Sequence, residues 1–347
     1  MNRSKVHTEG GRRVDARTTR PFGLVPALLW VVVGLIPSGA RAVELPGEAS
    51  ADQVILFVLE GVGQDAVKVG AMPVLKGLAK DGSVTWSATA VLPASRLPTM
   101  ASVLMGLPVE KHGVTWETFD YARGYPRPPT LFDYLDLSGG RDSTIFFMDE
   151  SLRQLAKPEP YTDYQLCGAL RPECTPELLV KYIRDYFAKA TSGEGYGHAI
   201  FSLPHLLVVH LPEAGREGTA HGWTSKEYRG ALGRVDRAMG DVLTLYKDLK
   251  LLARTTVLVT SLSPAGANGS GVAPRVLWLA SGSGVKRGHV IAQPVSIMDT
   301  GATVMRTLGL ETYTEWDSHA VEEIFRTPRP VANSRNATVG QVHGGMP

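Results

Sequence analysis

Cysteine is almost absent from this 347-residue chain. The two it has, Cys167 and Cys174, lie seven apart in a loop-like Leu-Cys-Gly-Ala-Leu-Arg-Pro-Glu-Cys-Thr-Pro segment. No histidine or third cysteine lies near them, which argues against a zinc site there. A small disulfide loop formed in an oxidising compartment is the natural reading, with two free thiols as the alternative. Nor does one sign of charge dominate. With 36 Lys and Arg against 34 Asp and Glu, no basic surface offers itself to nucleic acid. There is no internal repeat or long low-complexity run. A Gly-rich phosphate loop, a Ser-His-Asp arrangement and a flavin fingerprint are all missing as well.

The apolar stretch at residues 22–36 is short for a membrane-spanning helix and carries Pro26. Arg12, Arg13, Arg17 and Arg20 form a basic leader before it, and Ala40-Arg41-Ala42 follows as a small-x-small cleavage site. Residues 1–42 therefore read as an export signal. A single N-terminal anchor is the alternative, and membrane contact is expected only if this segment stays uncleaved. No cysteine follows the apolar core, which argues against a lipoprotein. Either reading places the rest of the chain in the periplasm or outside the cell, in keeping with a disulfide. Residues 327–347 are rich in Pro and polar side chains and read as a disordered tail.

Between these ends the chain is long enough to bury a substantial core, and strand and helix signals alternate. Residues 54–59 are an unbroken apolar run of the kind a buried parallel strand shows. Further strands are predicted at 83–91, 143–148, 206–211, 255–261 and 274–280. Helices are predicted up to about 80 and at 98–105, 175–190, 225–252 and 297–308. This predicts a three-layer α/β/α sandwich with a mostly parallel central sheet. Residues 43–326 are expected to form one domain, with a small insertion at about 149–191. Chemistry in such sheets sits just beyond the carboxyl ends of the strands, so those residues come first.

Four segments carry a family pattern in order. The first strand ends Glu60-Gly61. Leu92-Pro-Ala-Ser-Arg-Leu-Pro-Thr-Met runs on through Gly106 to His112-Gly113. The stretch 212–228 contains Gly-Trp-Thr-Ser-Lys-Glu-Tyr, and a late stretch runs from Val272 through Gly288 to Asp299 and Thr303. Together they resemble the alkaline phosphatase superfamily, in the branch of type I phosphodiesterases and nucleotide pyrophosphatases, which also has sulfatase-like relatives. The resemblance spans 54–325. It implies two zinc ions held by six Asp or His ligands and a Thr or Ser nucleophile at a helix N-terminus. It also implies a donor to the phosphoryl oxygens.

Position by position, this chain departs from what the resemblance implies. Glu60 stands for the first Asp ligand and is one methylene longer. Counting back from Gly106 puts Arg96 at the nucleophile position, and a one-residue shift puts Ser95 there. Arginine stays protonated and cannot attack, but a guanidinium can fill the space of a missing metal and attract an anion. The family's donor Asn falls on Glu117, which would repel phosphate. Anchored on Gly222-Trp223, the next ligand pair becomes Gly215 and Thr219; with a two-residue deletion it becomes Glu217 and His221. The following Asp-His pair is Leu262-Ser263, which cannot hold zinc, and the last ligand His falls near Asn268. His112 sits in a turn that the family shares. His198, His205 and His210 flank a strand, where a histidine is usually a satisfied core residue.

Two functions follow as expectations. The first is an exported pseudoenzyme with no cofactor, which binds an unidentified anionic ligand or protein partner, or modulates an active relative. The second is a phosphate- or sulfate-ester hydrolase whose rearranged zinc site uses Glu60, Ser95, Glu217 and His221. A structural envelope protein is a third possibility.

Overall fold

Apolar residues that alternate in their packing place the first strand at the centre of the molecule. In the computed structural model, which describes residues 48–157, 162–166, 174–192, 202–266 and 272–326, strand β1 (Gln53–Leu59) is buried along its whole length. Val54, Leu56 and Val58 join one core cluster, and Ile55, Phe57 and Leu59 join another. This is the period-2 alternation of a strand covered on both faces.

An eight-stranded sheet surrounds it in the order β4-β3-β5-β1-β6-β7-β2-β8. The members are β2 (Gly82–Thr89), β3 (Ser143–Phe147), β4 (Thr162–Leu166), β5 (Leu206–Leu211), β6 (Thr255–Ser261), β7 (Arg275–Gly282) and β8 (His289–Val290). Only β7 runs against its neighbours, β6 and β2; all other pairings are parallel. On one face lie helices α3 (Arg96–Met105), α5 (Leu131–Leu137) and α9 (Asp299–Thr307). On the other lie α2 (Pro73–Asp81), α6 (Pro176–Ser192) and α8 (Lys226–Asp248). The expected three-layer α/β/α sandwich is the observed architecture.

Register brings the strand ends to one level. Leu59 pairs with Leu211 of β5 and with Ser261 of β6, so Glu60, Pro212 and Leu262 leave the sheet side by side. Strand β3 is in register with β5 from Ser143↔Leu206 to Phe146↔Val209, which brings Asp149 to the same edge. The predicted strands at 206–211 and 255–261 coincide with β5 and β6. The helical stretch predicted up to about 80 is broken at Gly70 into α1 (Gln64–Val69) and α2. The stretch 149–191 supplies edge strand β4 and most of α6. Cys174 is disulfide-bonded, and the chain's other cysteine, Cys167, lies outside the described residues. The expected leader (1–42) and tail (327–347) also lie outside them. Among the described residues no helix is long and apolar enough to cross a membrane.

One contact between helices should carry measurable stability. Helix α2 starts at Pro73 with no side-chain cap of its own. Instead Asp236, buried in α8, accepts hydrogen bonds from the backbone N–H of Val74 (2.9 Å) and Leu75 (2.8 Å). Removing it orphans two donors at a buried helix start. Asp236→Ala should therefore cost about 2 kcal/mol, read as a lower urea midpoint, while Asn at 236, with one acceptor oxygen for the two N–H groups, should recover only part of it.

Candidate functional site

Glu60 leaves β1 into the strand-end cleft, with α3 above it. Its carboxylate is gripped from two sides. Arg96, the first residue of α3, donates from Nε to Oε1 (2.6 Å) and from Nη2 to Oε2 (2.9 Å), a fork that matches the carboxylate plane. His210, the second-last residue of β5, meets Oε1 through Nε2 at 2.8 Å. The third arm of Arg96, Nη1, donates to Asp149 Oδ2 at 2.7 Å. Arg216 reaches the same oxygen at 3.7 Å and donates to the carbonyl of Met148. Asp149 Oδ1 also accepts from the backbone and side chain of Ser151, which fixes its rotamer.

These bonds set the protonation states. Burial alone would raise Glu60, but the bonds from His210 and Arg96 outweigh it and bring its pKa down to about 2. Burial alone would lower Arg96, yet Glu60 and Asp149 hold the guanidinium above its ordinary range. His210 is fully buried, and that burial pushes it below the ordinary histidine range despite Glu60. The pair is therefore a neutral imidazole donating Nε2–H to an ionised carboxylate, not an ion pair. In this tautomer Nδ1 is a buried lone pair with no partner.

The remaining expected site residues fall as follows. Ser95 stands at the N-cap position of α3 without a side-chain capping bond, and its buried Oγ has no hydrogen-bond partner, so no base is placed to activate it. Glu117 is exposed and acts on Arg96 only through its charge. Leu262 packs into the core. Its N–H donates to the carbonyl of Leu59, while Gly61 N–H donates to the carbonyl of Ser263, so both residues are stitched beside Glu60 by backbone alone. In α7 (Glu213–His221), Glu217 and His221 approach each other at 3.4 Å on a solvent-facing turn. Gly215 is the α7 residue that lies against Glu60: a Cβ built there falls 2.8 Å from Glu60 Cβ. Thr219 turns its hydroxyl back to the carbonyl of Gly215. Asn268 lies outside the described residues.

His210, Asp149 and Arg216 complete the cluster and were missed in the sequence reading. Asp149 and His210 carried a usable signal, since each stands at the carboxyl end of a strand. His112 is structural, as expected: Nδ1 accepts from Val114 N–H (3.0 Å), which leaves Nε2 to donate to Ser102 Oγ (2.9 Å).

A two-zinc site does not fit these residues. A zinc ligand must offer a lone pair, but Nε2 of His210 carries the proton it donates, and both Glu60 oxygens are engaged by Arg96. At the other expected positions stand Leu262, Ser263 and either Gly215 and Thr219 or, with the two-residue deletion, Glu217 and His221, which pair with each other on the solvent-facing turn. Among the described residues no three His, Cys, Asp or Glu side chains are grouped to hold a metal.

Comparison with known proteins places this arrangement. Over 222 residues (60% of this chain) it is 24% identical to ectonucleotide pyrophosphatase/phosphodiesterase family member 1 of Mus musculus, and the Rattus norvegicus protein matches equally at 24% over 224 residues. The chain spans about a quarter of the length of these relatives, 23% and 24%. Among solved structures, the fold matches human ectonucleotide pyrophosphatase/phosphodiesterase 5 with a TM-score of 0.61 at 12% identity, covering 79% of this chain and 100% of that one. The murine counterpart, an inactive variant in complex with AMP, gives 0.60 at 13% identity over 79% and 100%. A 2-O GAG sulfatase gives 0.60 at 12% identity over 81% and 76%. The profile of type I phosphodiesterase / nucleotide pyrophosphatase matches residues 54–261, more than half of the chain. The chain belongs to the type I phosphodiesterase / nucleotide pyrophosphatase family.

Proposed function

We propose that this chain is an exported, non-hydrolytic member of its family that acts as a binding or modulating protein. One observation carries the reading: Arg96, which the count back from Gly106 sets at the nucleophile position, has its guanidinium forked onto Glu60, the expected first ligand. Arg96 cannot attack, Ser95 beside it has no base to activate it, and both oxygens of Glu60 are engaged. Export is supported by the basic and apolar leader, the disulfide at Cys174, and the ecto- prefix in the relatives' names. Of the two partner classes expected, a protein suits the cleft better than a free anion. Glu60 and Asp149 balance Arg96 and Arg216, and Glu117 adds a further negative charge, so no net positive potential faces a phosphate.

The test is metal content and turnover of the full chain purified without chelator. Zinc far below one equivalent and no hydrolysis of bis-p-nitrophenyl phosphate above the blank are expected. Stoichiometric zinc together with turnover that Ser95→Ala abolishes would instead establish the rearranged hydrolase. Calorimetric titration with AMP or sulfate should show no binding, and saturable binding would replace the protein partner with an anionic ligand.

A further inference from the structure

Glu60, Arg96, Asp149 and Arg216 form a continuous chain of charges, each within 2.6–3.7 Å of the next. The chain ties together four segments distant in sequence: the end of β1, the start of α3, the second residue beyond β3 and the first turn of α7. Two carboxylates and two guanidinium groups sum to zero, so the cluster is electrically complete without another ion. Within it Arg96 holds the central place. Three of its five N–H groups are spent on three different acceptor oxygens, and its side chain is only 27% exposed. His210, behind Glu60, turns a protonated nitrogen toward the same point.

We infer that Arg96 is a resident cation: a guanidinium site built from Glu60 and Asp149 and backed by His210, filled by the chain's own arginine and closed to divalent metal. A divalent ion entering here would have to expel the guanidinium and strip the proton from His210 Nε2. The displaced proton would have to move to Nδ1, which is fully buried with no acceptor beside it. Planar geometry adds selectivity, because the fork satisfies both Glu60 oxygens at once, which a compact ammonium cannot do. This goes beyond the non-hydrolytic reading, since a protein without turnover need not be held together by this cation.

The experiment empties the site in the full chain. Arg96→Ala leaves the buried carboxylate of Glu60 without its counter-charge and the half-buried one of Asp149 with Arg216 alone, and should lower the thermal midpoint on the order of 10 °C. N-ethylguanidinium, which replaces the deleted atoms, should restore the midpoint in a saturable way, whereas ethylammonium and zinc should not. A midpoint unchanged by Arg96→Ala, or restored equally by zinc, would overturn the inference. If Arg96→Ala does not fold, Arg96→Met is compared with Arg96→Met combined with Glu60→Gln. The double variant should be the more stable, because it leaves no ionised Glu60 unpaired, and equal or lower stability overturns the inference. Zinc added to the wild-type chain should leave its midpoint unshifted. A rise that disappears in Glu60→Gln would mean the site accepts metal after all. Turnover by the wild type would sink the non-hydrolytic reading without moving any of these midpoints, so the two fail separately.

Discussion

Gly215→Asp, which puts a carboxylate where the alignment anchored on Gly222-Trp223 expects a zinc ligand, is expected to destabilise the protein by about 3–5 kcal/mol without creating a metal site. The reason is packing at the end of β1. A Cβ at 215 would lie 2.8 Å from Glu60 Cβ and 3.3 Å from its carbonyl carbon. The contact is mutual: a Cβ on Gly61 would meet Gly215 Cα at 2.7 Å and the Trp223 ring at 2.9 Å. Helix α7 thus lies flush against residues 60–61. Tyr228 locks the arrangement by donating its hydroxyl to the Gly61 carbonyl at 2.7 Å. Gly61 also has φ +69°, which any side chain would strain. An aspartate at 215 adds a second buried carboxylate beside one already matched to Arg96. Urea denaturation of Gly215→Ala separates the two effects, because alanine carries the steric part alone and should account for at least half of the loss. Wild-type stability in Gly215→Ala, with zinc taken up by Gly215→Asp, would show the packing argument to be wrong.

The same contact explains a difference that sequence alone presents as damage. Glu60 is longer than the expected Asp, and Gly215 lacks a side chain altogether. Seen together they are complementary: the volume given up at 215 lies beside the larger residue at 60, and Arg96 supplies the counter-charge. Arg96, forked onto Glu60 and bonded to Asp149, keeps the strand ends joined.

Much of the fold was legible because buried parallel strands write themselves as unbroken apolar runs. Residues 54–59 fall within β1 for that reason; 206–211, apolar but for His210, coincide with β5, and 255–261, an apolar Val-Leu-Val centre flanked by β-branched Thr, coincide with β6. Strand β4 was not seen: Thr162–Leu166 is a short edge strand with a mixed polar sequence, and its pairing with β3 supplies what its composition does not. The candidate site was half legible. Glu60, Arg96 and Leu262-Ser263 could be placed because the family pattern fixes their spacing. His210 and Asp149 could not be paired with Glu60 without knowing strand order, since β5, not β6 alone, lies beside β1. Yet parity along the strands held part of the answer. Val54, Leu56 and Val58 face α3, so Glu60 does too; Leu206 and Val208 face it, so His210 follows. Gly215 was out of reach, because a glycine announces close approach only once the neighbour is known.

Acid should destabilise this protein over two pH windows that its buried groups set apart. His112, His205 and His210 are all pushed below the ordinary histidine range, first of all by burial. In the unfolded chain each takes up a proton near pH 6.5, whereas folded His112 resists protonation down to about 4. The unfolded state therefore binds more protons in this window, so the stability held above pH 6.5 is lost as pH falls from 6.5 toward 4. For His112 alone the loss approaches about 3 kcal/mol in the limit, and about 2 kcal/mol once solvent screening is allowed for. Glu60 acts later. Its pKa is depressed from 4.5 to about 2, so its contribution is complete above 4.5 and disappears between 4.5 and 2. Asp236, Asp299 and Glu213 are raised by burial and gain stability on protonation, which makes the upper part of the window the cleanest place to see the histidines. Urea midpoints near neutrality and at about pH 5 measure the loss in the first window. His112→Gln keeps a donor for Ser102 but has no proton to gain. It should be weaker than the wild type near neutrality, and it should lose less than the wild type on going to the acid condition. An undiminished loss in this variant would assign the first window to His205 and His210, leaving His112 as a turn residue whose protonation costs nothing.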